Sequence, residues 1–188
     1  MTTKKALVSK DKNFPNWSDV KAKLADVDRA GILGLVQDLY SVSKDNQTFL
    51  HTRFGLGGDA LKSYKTTISR WLWPDIFKNQ DTSVAKAKKA ISDYKKAIGR
   101  PEELAELMTF YCEQAAGFSN EVGLEDEGYY DALVRMFAQA LKISVGLPET
   151  QRDVLLKRLD QARCICHQFG YGVGDAMDEL LVDYGIDD

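Results

Sequence analysis

Apolar residues recur three and four positions apart along almost the whole chain, and the period-two alternation that marks half-buried strands is nearly absent. The protein therefore reads as all-α: eight or nine antiparallel helices on short connections, forming a helical bundle or a stack of helical hairpins. Short polar residues place the helix starts. Asn16 or Ser18 can cap a first helix carrying Val20, Leu24 and Val27, because a side-chain oxygen there accepts a free N–H of the first turn. Asp28 can cap a second, with Ile32, Leu33, Val36, Leu39 and Tyr40 in one broad stripe, although Gly31 and Gly34 weaken it or permit close packing. Ser43 starts a third through Phe49, Leu50 and Phe54, ended by Gly55, Gly57 and Gly58. A fourth is expected from about Asp59, holding Leu61, Tyr64, Ile68, Trp71 and Leu72, and it has to stop before Pro74.

The fifth helix has the clearest pattern. Val84, Ala87, Ile91, Tyr94 and Ile98 share a face, lysines lie mostly elsewhere, and Gly99 ends it. Pro101 suits the first turn of a sixth helix, where its missing N–H is not needed, with Glu102 and Glu103 at the positive end of the dipole. Leu104, Leu107, Tyr111, Ala115 and Phe118 form its buried stripe. A seventh runs from about Asp126 through Tyr130, Leu133, Phe137 and Leu141 to Gly146, and Glu125, Asp126 and Glu127 read as its acidic start. An eighth from Glu149 carries Leu155, Leu159, Ala162 and Cys166. A short last helix spans Asp175 to Tyr184. No fixed-period repeat supports a true solenoid. Residues 1–14 read as a flexible lysine-rich segment and 15–188 as a single all-helical domain.

Composition adds limits. With 44% hydrophobic and 28% charged residues the chain is that of a soluble globular protein, and no segment approaches the roughly 20 apolar residues of a membrane span. The N-terminus has no signal-peptide core. Cys112, Cys164 and Cys166 are too few for a disulfide framework and are expected as thiols, which fits a cytoplasmic location. The net charge of −3 is unevenly spread: residues 62–100 carry 10 basic and 3 acidic side chains, residues 101–188 carry 6 and 18.

Two stretches invite a phosphate-loop reading, RFGLGGDALKSY (53–64) and FGYGVGDAMDEL (169–180), each just after one of the chain's two histidines, His51 and His167. A dinucleotide loop needs a preceding strand, whereas here a helix precedes, so Gly55 and Gly170 are expected at left-handed helix ends, with Asp59 and Asp175 capping the following helices and Phe54 and Phe169 anchoring the corners. Cys164 and Cys166, two apart on a helix, point away from each other and cannot grip one metal ion. Arg163 and His167, four apart on one face, resemble the Arg and His of helical ribonucleases of the higher-eukaryote-and-prokaryote nucleotide-binding type, whose spacing is usually longer, but come without a recognisable partner polar residue.

The runs ILGLVQDLYSVSKDNQTFLHTRFG, SVAKAKKAISDYKKAIG and FGYGVGDAMDELL resemble a family of bacterial helical proteins known as a domain of unknown function, over residues 18–185. The resemblance implies a bacterial, cytoplasmic, all-helical protein and brings no activity, cofactor or catalytic residue with it.

The function expected first is a helical protein–protein interaction module with an unidentified protein partner, no catalytic residues, no cofactor and no membrane. The alternative is a nucleic-acid binder using the basic 62–100 region, above all Lys86, Lys88, Lys89, Lys95 and Lys96, interleaved with Tyr64, Trp71, Trp73 and Tyr94. A helical ribonuclease or metal-dependent enzyme around Arg163 and His167 is the third reading. Trp71, Trp73 and Tyr94 fall on apolar stripes and are expected in the core rather than as base-stacking platforms.

Overall fold

The computed structural model describes residues 15–56 and 58–186, so the expectation of a flexible segment at 1–14 lies outside the described residues. Among the described residues there are nine α-helices and no strand: α1 (Trp17–Leu24), α2 (Arg29–Val42), α3 (Lys44–Arg53), α4 (Lys62–Leu72), α5 (Val84–Ala97), α6 (Pro101–Val122), α7 (Glu127–Ser144), α8 (Glu149–Cys166) and α9 (Val173–Asp183). The chain divides into two compact units with the boundary inside α3, between Asn46 and Gln47.

Most helix starts use the expected side chains. Asn16 accepts the Ser18 N–H at 2.8 Å while Asp19 accepts the Asn16 N–H at 2.7 Å, a reciprocal capping box for α1. Asp28 accepts the Gly31 N–H at 2.7 Å, Ser43 the Asn46 N–H at 3.1 Å and Asp126 the Tyr129 N–H at 3.0 Å. Two starts differ from expectation. Asp59 caps a turn ahead of α4, accepting the Leu61 N–H at 2.9 Å, and α4 itself begins at Lys62. Gly172, at φ +67°, rather than Asp175 occupies the cap of α9, because a left-handed residue there turns the chain directly into the helix and leaves Asp175 inside the first turn.

In the first unit α1 and α2 bury no residue. Among the described residues the broad stripe of α2 forms no buried core: Leu33 is 60% exposed and Val42 79%, and Trp17 of α1 is 68% exposed.

The second unit is built on α6, the longest helix, whose buried residues run from Leu104 to Ser119. Helices α4, α5, α7 and α8 pack against it, and α9 lies across α7 and α8. Four-residue connections join α6 to α7 and α7 to α8, which forces antiparallel neighbours. Tyr64, Ile68, Leu72, Ile91, Tyr94, Leu107, Tyr111, Leu133, Phe137, Leu141, Leu159 and Met177 make one continuous core. Tyr94 is fully buried, while Trp71 and Trp73 pack against the core half-buried. Gly117 makes room for Trp73: a Cβ there would stand 2.4 Å from the indole.

A half-buried ionic network ties three helices of this unit. Lys65 of α4 meets Glu106 of α6 at 2.5 Å, Arg158 of α8 meets the same Glu106 at 2.5 Å, and its guanidinium also grips both oxygens of Glu113 at 2.7 and 2.8 Å. Burial alone would raise the Glu106 carboxyl, but Arg158 and Lys65 outweigh it and hold Glu106 below its usual range.

Candidate functional site

The two glycine stretches each join helix to helix. Gly55 (φ +65°) follows α3 by two residues and Gly170 (φ +75°) follows α8 by four, so neither stands after a strand. The corners are not equivalent, however. Phe169 stacks on Tyr130, 5.3 Å between ring centroids, whereas Phe54 is 69% exposed.

The first corner borders an open cleft of about 1060 Å³ whose lining includes His51, Arg53, Lys62, Arg100, Asp59 and Glu103. Charges of both signs line it and several are already engaged: Arg53 donates to the Ala97 carbonyl at 2.8 Å, and Glu103 accepts from the Tyr94 hydroxyl and from Arg100. Those pairings leave no uniform field for an anion or a cation.

The lysines of α5 do not share a face. At about 100° per residue, Lys89 and Lys96 lie opposite the buried stripe, Lys86 to one side of it and Lys88 and Lys95 to the other. Lys86 sits 3.7 Å over the Trp71 ring and Lys89 pairs with Asp93 at 2.6 Å. Lys88 is half-buried, and its desolvation, with Arg135 nearby, lowers its ammonium pKa. Lys95 and Lys96 are exposed. Elsewhere in the basic region, Lys78 pairs with Asp75 at 2.8 Å and Arg100 with Glu103 at 3.0 Å.

Arg163 and His167 have the partner that the local sequence did not reveal, Asp178 of α9. Arg163 contacts it at 2.6 Å and Asp160 at 2.6 Å, and His167 Nε2 lies 3.1 Å from the Asp178 carboxylate. These hydrogen bonds hold the Asp178 carboxyl below its usual range, Arg163 contributing most. His167, Asp175 and Asp178 offer ligand atoms within 4.8 Å of one another. The Arg163 guanidinium already occupies an oxygen of Asp178, and its fixed charge opposes a cation at that point. Packing reinforces the contact: a Cβ on Gly174 would come within 2.5 Å of the His167 ring. The arrangement acts as a clasp between α8 and α9. Cys164 is exposed and Cys166 buried, so neither joins it, and burial pushes the Cys166 thiol up to about 12, out of reach of thiolate chemistry.

The second corner does more than turn the chain. Tyr171, between Gly170 and Gly172, adopts the left-handed conformation at φ +58°, unusual for a bulky residue. Its ring is 65% exposed and lies 5.3 Å from Tyr130 between centroids, tilted 38° to it. Tyr130 is buried and anchored by its hydroxyl to the Leu124 carbonyl. Around the two rings the starts of α7 and α9 form a groove of about 640 Å³ that also takes in Glu125, Asp126, Glu127, Asp131, Val134 and Arg135. Partial desolvation and a hydrogen bond to Glu125 raise the Tyr171 phenol above its usual range, so it stays neutral at physiological pH. Asp131 pairs with Arg135 at 2.9 Å. Four carboxylates against one guanidinium give the groove a negative field beside an aromatic face, the chemistry that receives Lys or Arg side chains.

No family model, curated protein or solved structure matches the chain. Among the described residues, no helix is long and apolar enough to cross a membrane.

Proposed function

We propose that the protein is a helical protein–protein interaction module that takes a basic segment of a partner protein into the α7–α9 groove. The observation that carries this reading is Tyr171: an exposed aromatic ring, held in a left-handed conformation, beside four carboxylates. A partner's Lys or Arg stem can lie on the Tyr171 ring while its charge meets Glu125, Asp126 or Glu127, and the excess of acidic residues over 101–188 steers such a segment inward. A cytoplasmic, bacterial setting belongs to the same proposal: the three cysteines are free thiols, and the resemblance noted from the sequence points the same way.

The test is titration with short fluorescent Lys/Arg-rich peptides. Binding is expected at low ionic strength, weakening with salt, and Tyr171→Gly is expected to reduce affinity about tenfold or more. That substitution suits a positive φ, so the fold should persist, as circular dichroism can check. Absence of binding at low salt, or unchanged affinity in Tyr171→Gly, overturns the reading. The polyanion alternative is separated in the same assay by a short RNA: retention of RNA that Lys89→Glu with Lys96→Glu abolishes would favour the outer face of α5 instead.

A further inference from the structure

We infer that the turn between α4 and α5 carries an aromatic plug, Phe77, that enters the α7–α9 groove of a second copy of the chain, and that two copies pair reciprocally in this way. The inference rests on the groove reading and names this chain itself as the partner. Phe77 is 94% exposed, more than any other large apolar side chain among the described residues, and Ile76 beside it is 50% exposed. Single exposed apolar residues are ordinary, but the backbone under this one is fixed. The Asp75 carboxylate accepts the Phe77 N–H at 3.1 Å, and the Asp75 and Ile76 carbonyls accept the Lys78 and Asn79 N–H groups, each at 3.1 Å. The Trp71 carbonyl accepts the Ser83 N–H at 2.9 Å and closes the base, where Trp73 is wedged against Gly117 of α6. A ring held out on a fixed turn loses little freedom on docking, which is what an interface anchor requires.

The turn and the groove lie at the same end of the second unit. At the start of α7 the Tyr129 hydroxyl donates at 2.8 Å to the carbonyl of Leu72, the last residue of α4, and Tyr130, next in sequence, lines the groove. Phe77 is bare, so the turn does not fill the groove of its own chain. A two-fold axis beside that end sets each turn against the other copy's groove, and two equal contacts then form within one closed interface.

The two surfaces are also chemically complementary. The groove offers the exposed Tyr171 ring beside carboxylates, and the turn brings Phe77 to the ring and cations to the acids. Arg70 reaches the Asp81 carbonyl at 3.4 Å and shares the Trp71 ring with Lys86, which places both cations at the base of the turn. Lys78 pairs with Asp75 at 2.8 Å, but an exposed pair of this kind is weak in water, so Lys78 can exchange Asp75 for a groove carboxylate at small cost. Asp75 and Asp81, together with the net charge of −3, disfavour the competing occupant, an anionic lipid surface.

Sedimentation of the full chain over about 1–100 μM tests the inference. Wild type is expected to pass from one chain mass to two, less readily as salt is raised. Phe77→Ser, which removes no buried contact, and Tyr171→Gly are each expected to weaken pairing about thirtyfold or more. Mixing the two variants is expected to restore pairing, weaker than in wild type, because Phe77 of one chain and Tyr171 of the other rebuild one of the two contacts. A damaged fold is not rescued in that way. A wild type that stays monomeric, pairing unaffected by either variant, or no recovery in the mixture overturns the inference. Phe77-dependent binding to phosphatidylserine vesicles without self-association overturns it as well. Phe77→Ser keeps the groove, so Lys/Arg-rich peptide binding by this variant alongside a monomeric wild type removes the dimer and leaves the groove reading standing.

Discussion

At the residue scale, close packing explains two positions that periodicity leaves open. Gly117 lies in the middle of α6, where a helix-favouring alanine would ordinarily be better, and the reason is the Trp73 ring at 2.4 Å from its missing Cβ. Gly117→Ala is therefore expected to destabilise by about 1–3 kcal/mol despite its higher helix propensity, as urea denaturation would measure. Periodicity carries no hint of the pairing, because Trp73, just past the end of α4, and Gly117 in α6 are 44 positions apart. Tyr94 behaves differently. Its place on the α5 stripe was legible, since a residue flanked by Ile91 and Ile98 at helical spacing has one inward direction to take.

At the element scale, the start and stop chemistry was largely readable because it is local. Asn16, Asp28, Ser43 and Asp126 each accept an N–H two or three residues ahead, and Pro101 opens α6. The α9 start was misread because Gly172 accomplishes by backbone conformation what Asp175 was expected to do by hydrogen bonding. The α8–α9 clasp was half legible: Arg163 and His167 stood out, but Asp178 is 15 and 11 residues further on and came into range through the corner. Its pH dependence has a definite sign. The folded Asp178 carboxyl lies below its ordinary 3.8, so its contribution is fully present above that value and is lost as pH falls through the folded pKa. The stability difference between wild type and Asp178→Asn, seen by urea denaturation at pH 6, is thus expected to close as the pH drops below about 3.8.

For the molecule as a whole, the charge imbalance along the sequence resolves partly into contacts between its segments. Lys65 from the basic stretch and Arg158 from α8 converge on Glu106, and Arg158 holds Glu113 as well. Arg158→Met keeps the apolar stem and removes that charge, leaving two half-buried carboxylates with one lysine. It is expected to cost about 1–3 kcal/mol, a loss that salt should reduce. The candidate groove was the least legible feature. The acidic start of α7 reads from sequence as helix-start chemistry, which Asp126 fulfils, and nothing local marks Tyr171. Its significance depends on a positive φ and on Tyr130 arriving from another helix, and hydrophobic periodicity carries neither.

The three indoles also make the molecule optically divisible. Trp17 belongs to the first unit and is largely in water, whereas Trp71 lies under the cations of Arg70 and Lys86, and Trp73 is wedged against α6. With Trp71 and Trp73 replaced by phenylalanine, all indole emission comes from Trp17, so its colour reports the polarity around α1 without labelling.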